Sequence, residues 1–224
     1  LSFVITLLPI VLYSGAINLE SVFDISQNMN ISKQTALTYT IIIIGSIGSL
    51  YAVIGGLKAV AYSDTLNGIG LLIGGLLIPI IALSSIGDGN PLEGLISVYN
   101  YAPEKFNIIG AHDSILPFST LFTGLMINQI YFWGLNQTII QRAFGAKNLK
   151  EAQKGLIYTG ILKIFIPLVI VLPGLIAYYY FKEDYFESPD LIYPLLVKKI
   201  LPLPLFGLFA AIILGAVLST FNSV

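Results

Sequence analysis

Cysteine is absent from this sequence of 224 residues, and histidine and tryptophan each occur once. Without cysteine the chain contains no disulfide, thiolate zinc site, iron–sulfur ligand or cysteine nucleophile, and the single histidine, His112, cannot form a metal cluster alone. Charge is also scarce, because only 10% of the residues are charged and the net charge is −1. A nucleic-acid-binding surface needs clustered lysine and arginine, so we expect no nucleic acid as a partner.

Long apolar runs dominate the rest of the sequence. Hydrophobic residues make up 56% of the chain, and its mean hydropathy is +0.86. A helix that spans a bilayer needs about 20 predominantly apolar residues. Six segments fit that requirement: residues 1–17, 36–54, 62–86, 117–137, 155–181 and 203–224. The composition therefore predicts an all-α, polytopic membrane helical bundle in one transmembrane domain, and the apolar runs at both chain ends lead us to expect a fragment of a longer protein.

The connections between the segments differ in charge, and this difference predicts their side of the membrane. Cytoplasmic connections of membrane proteins are rich in lysine and arginine. The connection 138–154 carries four basic residues and one acidic residue, so we expect it in the cytoplasm of a protein of the cell membrane. Connections 18–35, 87–116 and 182–202 then lie outside, and a tight turn at Gly55 and Gly56 lies inside.

Lys163 is the only charged residue in the apolar segment 155–181. An ionisable side chain at the centre of a membrane helix costs about 3 kcal/mol on insertion scales, so it normally faces the interior of a bundle and marks a solute, ion or proton path. The alternative is a long side chain that reaches the membrane surface. The position inside the segment favours a transport role.

Amides and aromatic rings lie together near the middle of the segment 117–137. Asn128 and Gln129 precede Tyr131, Phe132 and Trp133. The amides and the flanking glycines weaken a helix, and non-helical backbone in a membrane is tolerated where it lines a cavity. A small polar solute suits such a mixture of flat apolar faces and hydrogen-bonding groups. The alternative is that the amides bond to neighbouring helices and the rings only pack.

Asp64 directly follows the turn region and begins an otherwise uncharged run to residue 86. A carboxylate at this position could hold a cation that leaves the protein. It could equally cap the start of a helix, where an acidic side chain is favoured. The sequence leaves both roles open.

Three blocks of the sequence resemble the sodium/solute symporter family, and its bacterial sodium/galactose branch in particular. They are residues 55–64, residues 131–155, and Lys163 followed by Pro167 and residues 172–174. The resemblance implies a ten-helix, inverted-repeat core of the leucine-transporter type, of which this chain would cover core helices three to eight.

The resemblance also implies roles for single residues. Lys163 matches the family's solute-facing lysine on core helix seven, and Asp64 matches an aspartate near the sodium exit on core helix five. Trp133 matches a tryptophan beside the solute. Gln129 stands where the galactose transporters have a sugar-binding asparagine, and Phe132 where they have a tyrosine that stacks as the inner gate, so a stacking ring is kept and a hydroxyl is lost.

The sodium site implied by the resemblance departs from the family pattern. Gly215 and Ala216 stand where the family uses two serines as sodium ligands, and neither has a side-chain oxygen. Backbone carbonyls such as that of Ile212 would remain. Ser219 and Thr220 lie one turn further on and could supply hydroxyls, although a hydroxyl in a helix usually bonds to the carbonyl four residues before it.

These features predict a secondary active transporter, a sodium-coupled symporter of a small polar solute such as a sugar or polyol, with sodium as coupling ion and no prosthetic cofactor. The departures at Gly215 and Ala216 leave proton-coupled or uncoupled transport as an alternative. An intramembrane enzyme finds no support, because the sequence has no His-Glu-x-x-His or Gly-x-Ser-x-Gly motif. A solute-sensing receptor on the same scaffold is a further alternative.

Overall fold

A computed structural model describes residues 2–114, 116–182 and 189–223, and nearly all of them are helical. The α-helices are α1 Ser2–Phe23, α2 Ile25–Asn28, α3 Lys33–Ile86, α4 Pro91–Tyr101, α5 Gly124–Gly134, α6 Gln137–Phe144, α7 Leu149–Lys163, α8 Ile166–Phe181, α9 Ile192–Ile200 and α10 Leu203–Ser223. Short 3-10 helices cover Pro103–Phe106, Phe118–Phe122 and Pro189–Leu191. No β-strand occurs among the described residues, and the prediction of an all-α membrane protein is confirmed.

Four helical stretches of the described residues are long and apolar enough to cross a membrane. They are Val4–Phe23, Lys33–Ile86, Leu149–Phe181 and Leu203–Ser223. The six spans, the single transmembrane domain and the inverted repeat stay predictions. Residues 183–188 of the predicted outer connection, and the terminal residues Leu1 and Val224 of the first and last predicted spans, lie outside the described residues.

Helix α3 contains a break at Gly56, where the sequence predicts a turn. Gly56 has φ 60° and ψ −177°, a conformation outside the helical region. A residue with a Cβ is strained there, so glycine is required. The hydroxyl of Tyr51 donates a hydrogen bond of 2.8 Å to the carbonyl of Ala59 and so bridges the break. The long apolar stretch of α3 is therefore two consecutive helices.

The contacts divide the chain into two compact units, Leu1–Ser97 with Leu168–Val224, and Val98–Pro167. In the first unit α10 packs against α3 and α1, and α1 also packs against α3 and α9. The buried core of this unit consists of Val22, Ile78, Val197, Leu201 and Phe209. In the second unit α5 contacts α6, and α6 contacts α7.

An ion pair joins two predicted outer connections of the first unit. Asp24 and Lys198 form this pair, although they lie 174 residues apart in the sequence. It supports the placement of connections 18–35 and 182–202 on one side of the membrane. A second polar contact joins the ends of two predicted spans, where the hydroxyl of Tyr180 donates to Ser85 Oγ at 2.6 Å.

Candidate functional site

Helix α5 carries the amides and rings singled out in the sequence. It follows a 3-10 turn, and the backbone leaves helical geometry at Thr123, with φ −120° and ψ −103°. The helix then continues without interruption through Asn128 and Gln129 to Gly134. The helix is therefore uninterrupted at the amides, and it begins and ends at the flanking glycines, Gly124 and Gly134. Gln129 uses its side chain to bond a residue one turn later, and such pairs stabilise a helix.

Pro167 determines where α7 ends. A proline has no N–H, so Pro167 cannot donate to the carbonyl four residues earlier, which belongs to Lys163. The backbone changes to tighter bonds from Ile164 to Ile161 and from Phe165 to Leu162, and α8 begins at Ile166. Lys163 consequently occupies the last position of α7, beside an interruption of the helix.

The side chains of Lys163, Trp133, Gln129 and Phe132 form one cluster in the second unit, which we call the tryptophan cluster. The ammonium of Lys163 lies 3.7 Å from the centroid of the Trp133 ring. The indole Nε1 donates a hydrogen bond of 2.7 Å to Gln129 Oε1. The rings of Phe132 and Trp133 meet edge to face, with centroids 5.2 Å apart and planes at 79°. Trp133 thus has a hydrogen bond at its N–H, a ring contact with Phe132 and a cation over its face.

Asn128 does not join the tryptophan cluster. Successive residues of an α-helix are about 100° apart around its axis, so Asn128 lies on a different face of α5 from Gln129 and Trp133. Its side chain is exposed. The sequence could not separate these two adjacent amides, because only the position of Lys163 on α7 shows which face of α5 carries the cluster.

The tryptophan cluster presents hydrogen-bond donors and a flat ring. Gln129 accepts a hydrogen bond from Trp133 with its amide oxygen, so the two N–H groups of the amide can serve as donors to a solute. The ammonium of Lys163 is exposed, and in the part of the chain that the structure describes it has no carboxylate partner. This arrangement suits a solute with several acceptor oxygens and an apolar face.

The predicted ion-path residues lie in the first unit, on α3 and α10. Asp64 is half-buried and lies inside α3 after the break at Gly56, so it does not cap a helix start. The side chain of Ile212 packs on the glycine face of α3, because a Cβ at Gly74 would lie 2.7 Å from Ile212 Cδ1. Gly215 also faces α3.

Asn67, which the sequence analysis did not single out, contacts the predicted ion-path residue Gly215. It is half-buried on α3, and its amide Nδ2 donates a hydrogen bond of 3.0 Å to the carbonyl of Gly215 on α10. A Cβ at Gly215 would lie 2.5 Å from Asn67 Oδ1, so only glycine permits this approach. An amide one turn after Asp64 in an uncharged run was the available signal, but nothing local paired it with position 215.

The remaining predicted ion-path residues, Ala216 and Ser219, lie further along α10. The carbonyl of Ala216 accepts a hydrogen bond of 2.9 Å from Thr220 Oγ1. The carbonyl of Ser219, which is half-buried, accepts one of 2.5 Å from Ser223 Oγ. The expectation that hydroxyls here bond to the carbonyl four residues before is confirmed for Thr220. No group of three or more His, Cys, Asp or Glu side chains that could hold a metal ion is found among the described residues.

Comparisons with known proteins find a matching family model and several relatives. A model of the sodium:solute symporter family matches residues 1–224. The chain is 45% identical over 215 residues to the uncharacterized symporter YidK of Escherichia coli (strain K12), and the match covers 96% of this chain and 37% of YidK. It is 33% identical over 174 residues to a sodium/glucose cotransporter of Vibrio parahaemolyticus, covering 75% of this chain and 30% of that protein.

A mammalian relative is also matched over only part of its length. The sodium/myo-inositol cotransporter 2 of Bos taurus is 27% identical over 253 residues, with 99% of this chain and 36% of that protein covered. The chain therefore spans less than two fifths of the length of these relatives. All three relatives are named as transporters, and none is named as an enzyme.

Proposed function

Because the chain belongs to the sodium:solute symporter family, we propose that it is part of a secondary active transporter that couples the inward sodium gradient to uptake of a small polar solute. The observation that carries this proposal is the Lys163 ammonium held over Trp133, itself bonded to Gln129. A cation in an apolar helical stretch is costly where it faces lipid. It therefore normally faces the interior of a bundle or a water-filled cavity and marks a path for a solute or an ion.

We assign the solute to the sugars or polyols. Such molecules carry many hydroxyl oxygens, which can accept from the Lys163 ammonium and the Gln129 amide. Their rings have an apolar face that can lie against an aromatic side chain. The names of the sodium/glucose and sodium/myo-inositol cotransporters support this class.

The proposed mechanism is alternating access without a covalent step. Sodium and solute each shift the balance between outward-open and inward-open forms, by binding one form more tightly than the other. Phe132, whose ring meets that of Trp133 in an edge-to-face contact, would be the inner gate, and Asp64 would lie on the sodium exit. Asn128, which lies apart from the tryptophan cluster, would contact the solute only after a movement of α5.

The setting proposed for the chain is the cell membrane, as part of a ten-helix core with inverted repeats. The basic connection 138–154 would face the cytoplasm. The ion pair of Asp24 with Lys198 supports a common side for two of the outer connections. The apolar helical stretches support a multi-pass protein.

Uptake into proteoliposomes tests the proposal with the full-length transporter. Radiolabelled glucose and myo-inositol serve as probes under an inward sodium gradient. We expect Lys163→Ala to abolish most of the sodium-driven uptake, because it removes the ammonium of the tryptophan cluster. Lys154→Ala is the matched control on the same helix, since Lys154 is exposed and pairs with Glu151 at 2.9 Å. Normal uptake by Lys163→Ala, with insertion intact in both variants, would contradict the assigned site.

Proton-coupled or uncoupled transport on the same fold is the second candidate, and one observation favours it. Gly215 and Ala216 provide no side-chain oxygen, and a sodium ion prefers oxygen ligands. Uptake measured with sodium and proton gradients imposed separately distinguishes the two candidates. Uptake that responds to a proton gradient alone, or to neither gradient, would replace sodium symport by this second function.

A further inference from the structure

The Asn67 amide ties α3 to α10 in the first unit. Asn67 Nδ2 lies 3.0 Å from the carbonyl oxygen of Gly215, a residue 148 positions later in the chain, and 3.4 Å from Ser63 Oγ on its own helix. The bond to Gly215 is therefore the tertiary contact of this side chain. In an apolar helix pair a side-chain hydrogen bond to a backbone carbonyl contributes to how the helices associate.

The carbonyl oxygen of Gly215 has both of its lone pairs in use. Gly215 lies inside the continuous helix α10, where a carbonyl accepts from the N–H four residues later, here that of Ser219. The second lone pair accepts from Asn67. A cation that approaches this oxygen consequently meets an N–H donor in the place where it would bind.

The Asn67 amide is in close contact with α10 at Gly215. A Cβ at Gly215 would lie 2.5 Å from Asn67 Oδ1 and 2.8 Å from Cγ, so the amide rests directly on the backbone of α10. One turn earlier on α10, Ile212 packs closely beside Gly74. A cation that uses the second lone pair of the Gly215 carbonyl oxygen therefore requires the Asn67 amide to leave this oxygen.

We propose that the Asn67 amide competes with the coupling cation for the carbonyl oxygen of Gly215, so that sodium binds there only when the hydrogen bond between α3 and α10 is broken. This inference rests on the proposed sodium-coupled function. Asn67 is then a positioning residue that sets the affinity for sodium and links sodium binding to the contact between the two helices. The opposite possibility is that Asn67 Oδ1 is itself a sodium ligand together with Ser63 Oγ, and the two possibilities predict changes of affinity in opposite directions.

Binding of ²²Na⁺ to the purified full-length transporter tests the inference without knowledge of the solute. Asn67→Leu keeps the volume and removes the donor, so we expect sodium to bind about three- to tenfold more tightly, the range set by one net hydrogen bond. Asn67→Asp also lacks a donor and adds a negative charge, and we expect a larger gain. Thr65→Val is the matched control, because Thr65 Oγ1 bonds only to Ala61 of its own helix.

The outcomes separate this inference from the proposed function. Tighter ²²Na⁺ binding by both Asn67 variants, with wild-type affinity in Thr65→Val, supports the inference, since a purely structural loss would not tighten binding. Weaker or unchanged binding by Asn67→Asp overturns the inference and leaves sodium symport standing. A wild-type protein that binds no ²²Na⁺ overturns both. Thermal unfolding of each variant shows whether a failure of Asn67→Leu is a failure to fold.

Discussion

A double-mutant cycle of Lys163 and Trp133 gives the sharpest test of the tryptophan cluster. Lys163→Met removes the charge and keeps the length of the side chain, and Trp133→Leu removes the ring. The ammonium lies 3.7 Å from the ring centroid, well within the range of a cation–π contact, and at an exposed site such a contact contributes about 0.5–1 kcal/mol. Lys163→Met also removes the proposed charged hydrogen bond to the solute, and such a bond contributes about 1.5–3 kcal/mol.

The expected values follow from these energies. Lys163→Met should lower the apparent affinity for solute by about tenfold or more, because 1.4 kcal/mol corresponds to a factor of ten. The double variant should lose about two- to fivefold less than the product of the single losses, which is the coupling between ring and ammonium.

The cycle is measured as the solute concentration that gives half-maximal sodium-driven uptake in proteoliposomes, with myo-inositol and glucose as probes. Lys154→Met serves as the control for loss of a lysine from α7. Purely multiplicative effects would show that the ammonium and the ring act independently. In that case the contact between them is incidental to solute binding, and the assignment of Trp133 as the support of Lys163 is refuted.

Two further predictions concern the backbone at Gly56 and the ionisation of Tyr193. Gly56→Ala should lower the free energy of unfolding by about 1–3 kcal/mol, because alanine is strained at φ 60°. Gly207→Ala is the control, since Gly207 lies in an equally open position inside α10 and its replacement should be neutral or stabilising. Thermal unfolding of the full-length protein in detergent compares the two variants. Burial raises the pKa of Tyr193 to about 12, so the folded protein keeps the phenol neutral while the unfolded chain ionises near its ordinary pKa of about 10. The stability from this neutral phenol is complete below about pH 10 and is lost as the pH rises to about 12, by roughly 2 kcal/mol. Tyr193→Phe should show a smaller loss of thermal stability over that pH range, and an identical pH profile for both proteins would contradict the burial argument.

Local features of this protein could be predicted from the residues alone. The break at Gly56 follows from two consecutive glycines between apolar runs, because only glycine adopts that conformation without strain. The end of α7 at Lys163 follows from Pro167, because the missing N–H frees a carbonyl exactly one α-helical hydrogen bond earlier. Residue preference was a poor guide at the amides of α5, because Gln129 accepts a bond from Trp133 four residues later in the same helix, and the helix continues through both.

The sequence by itself determined the class of this protein, because its apolar runs are too long for a soluble surface. Its one cation in segment 155–181 favoured a transport role over a side chain that reaches the membrane surface. Only the tertiary structure decided which residues meet. Lys163 lies over Trp133, and Asn67 bonds to the carbonyl of Gly215, through contacts between helices that are distant in the chain. The physical reason is that helix formation is set by neighbouring residues, whereas the face that each helix turns to its partner is set by the packing of all of them together.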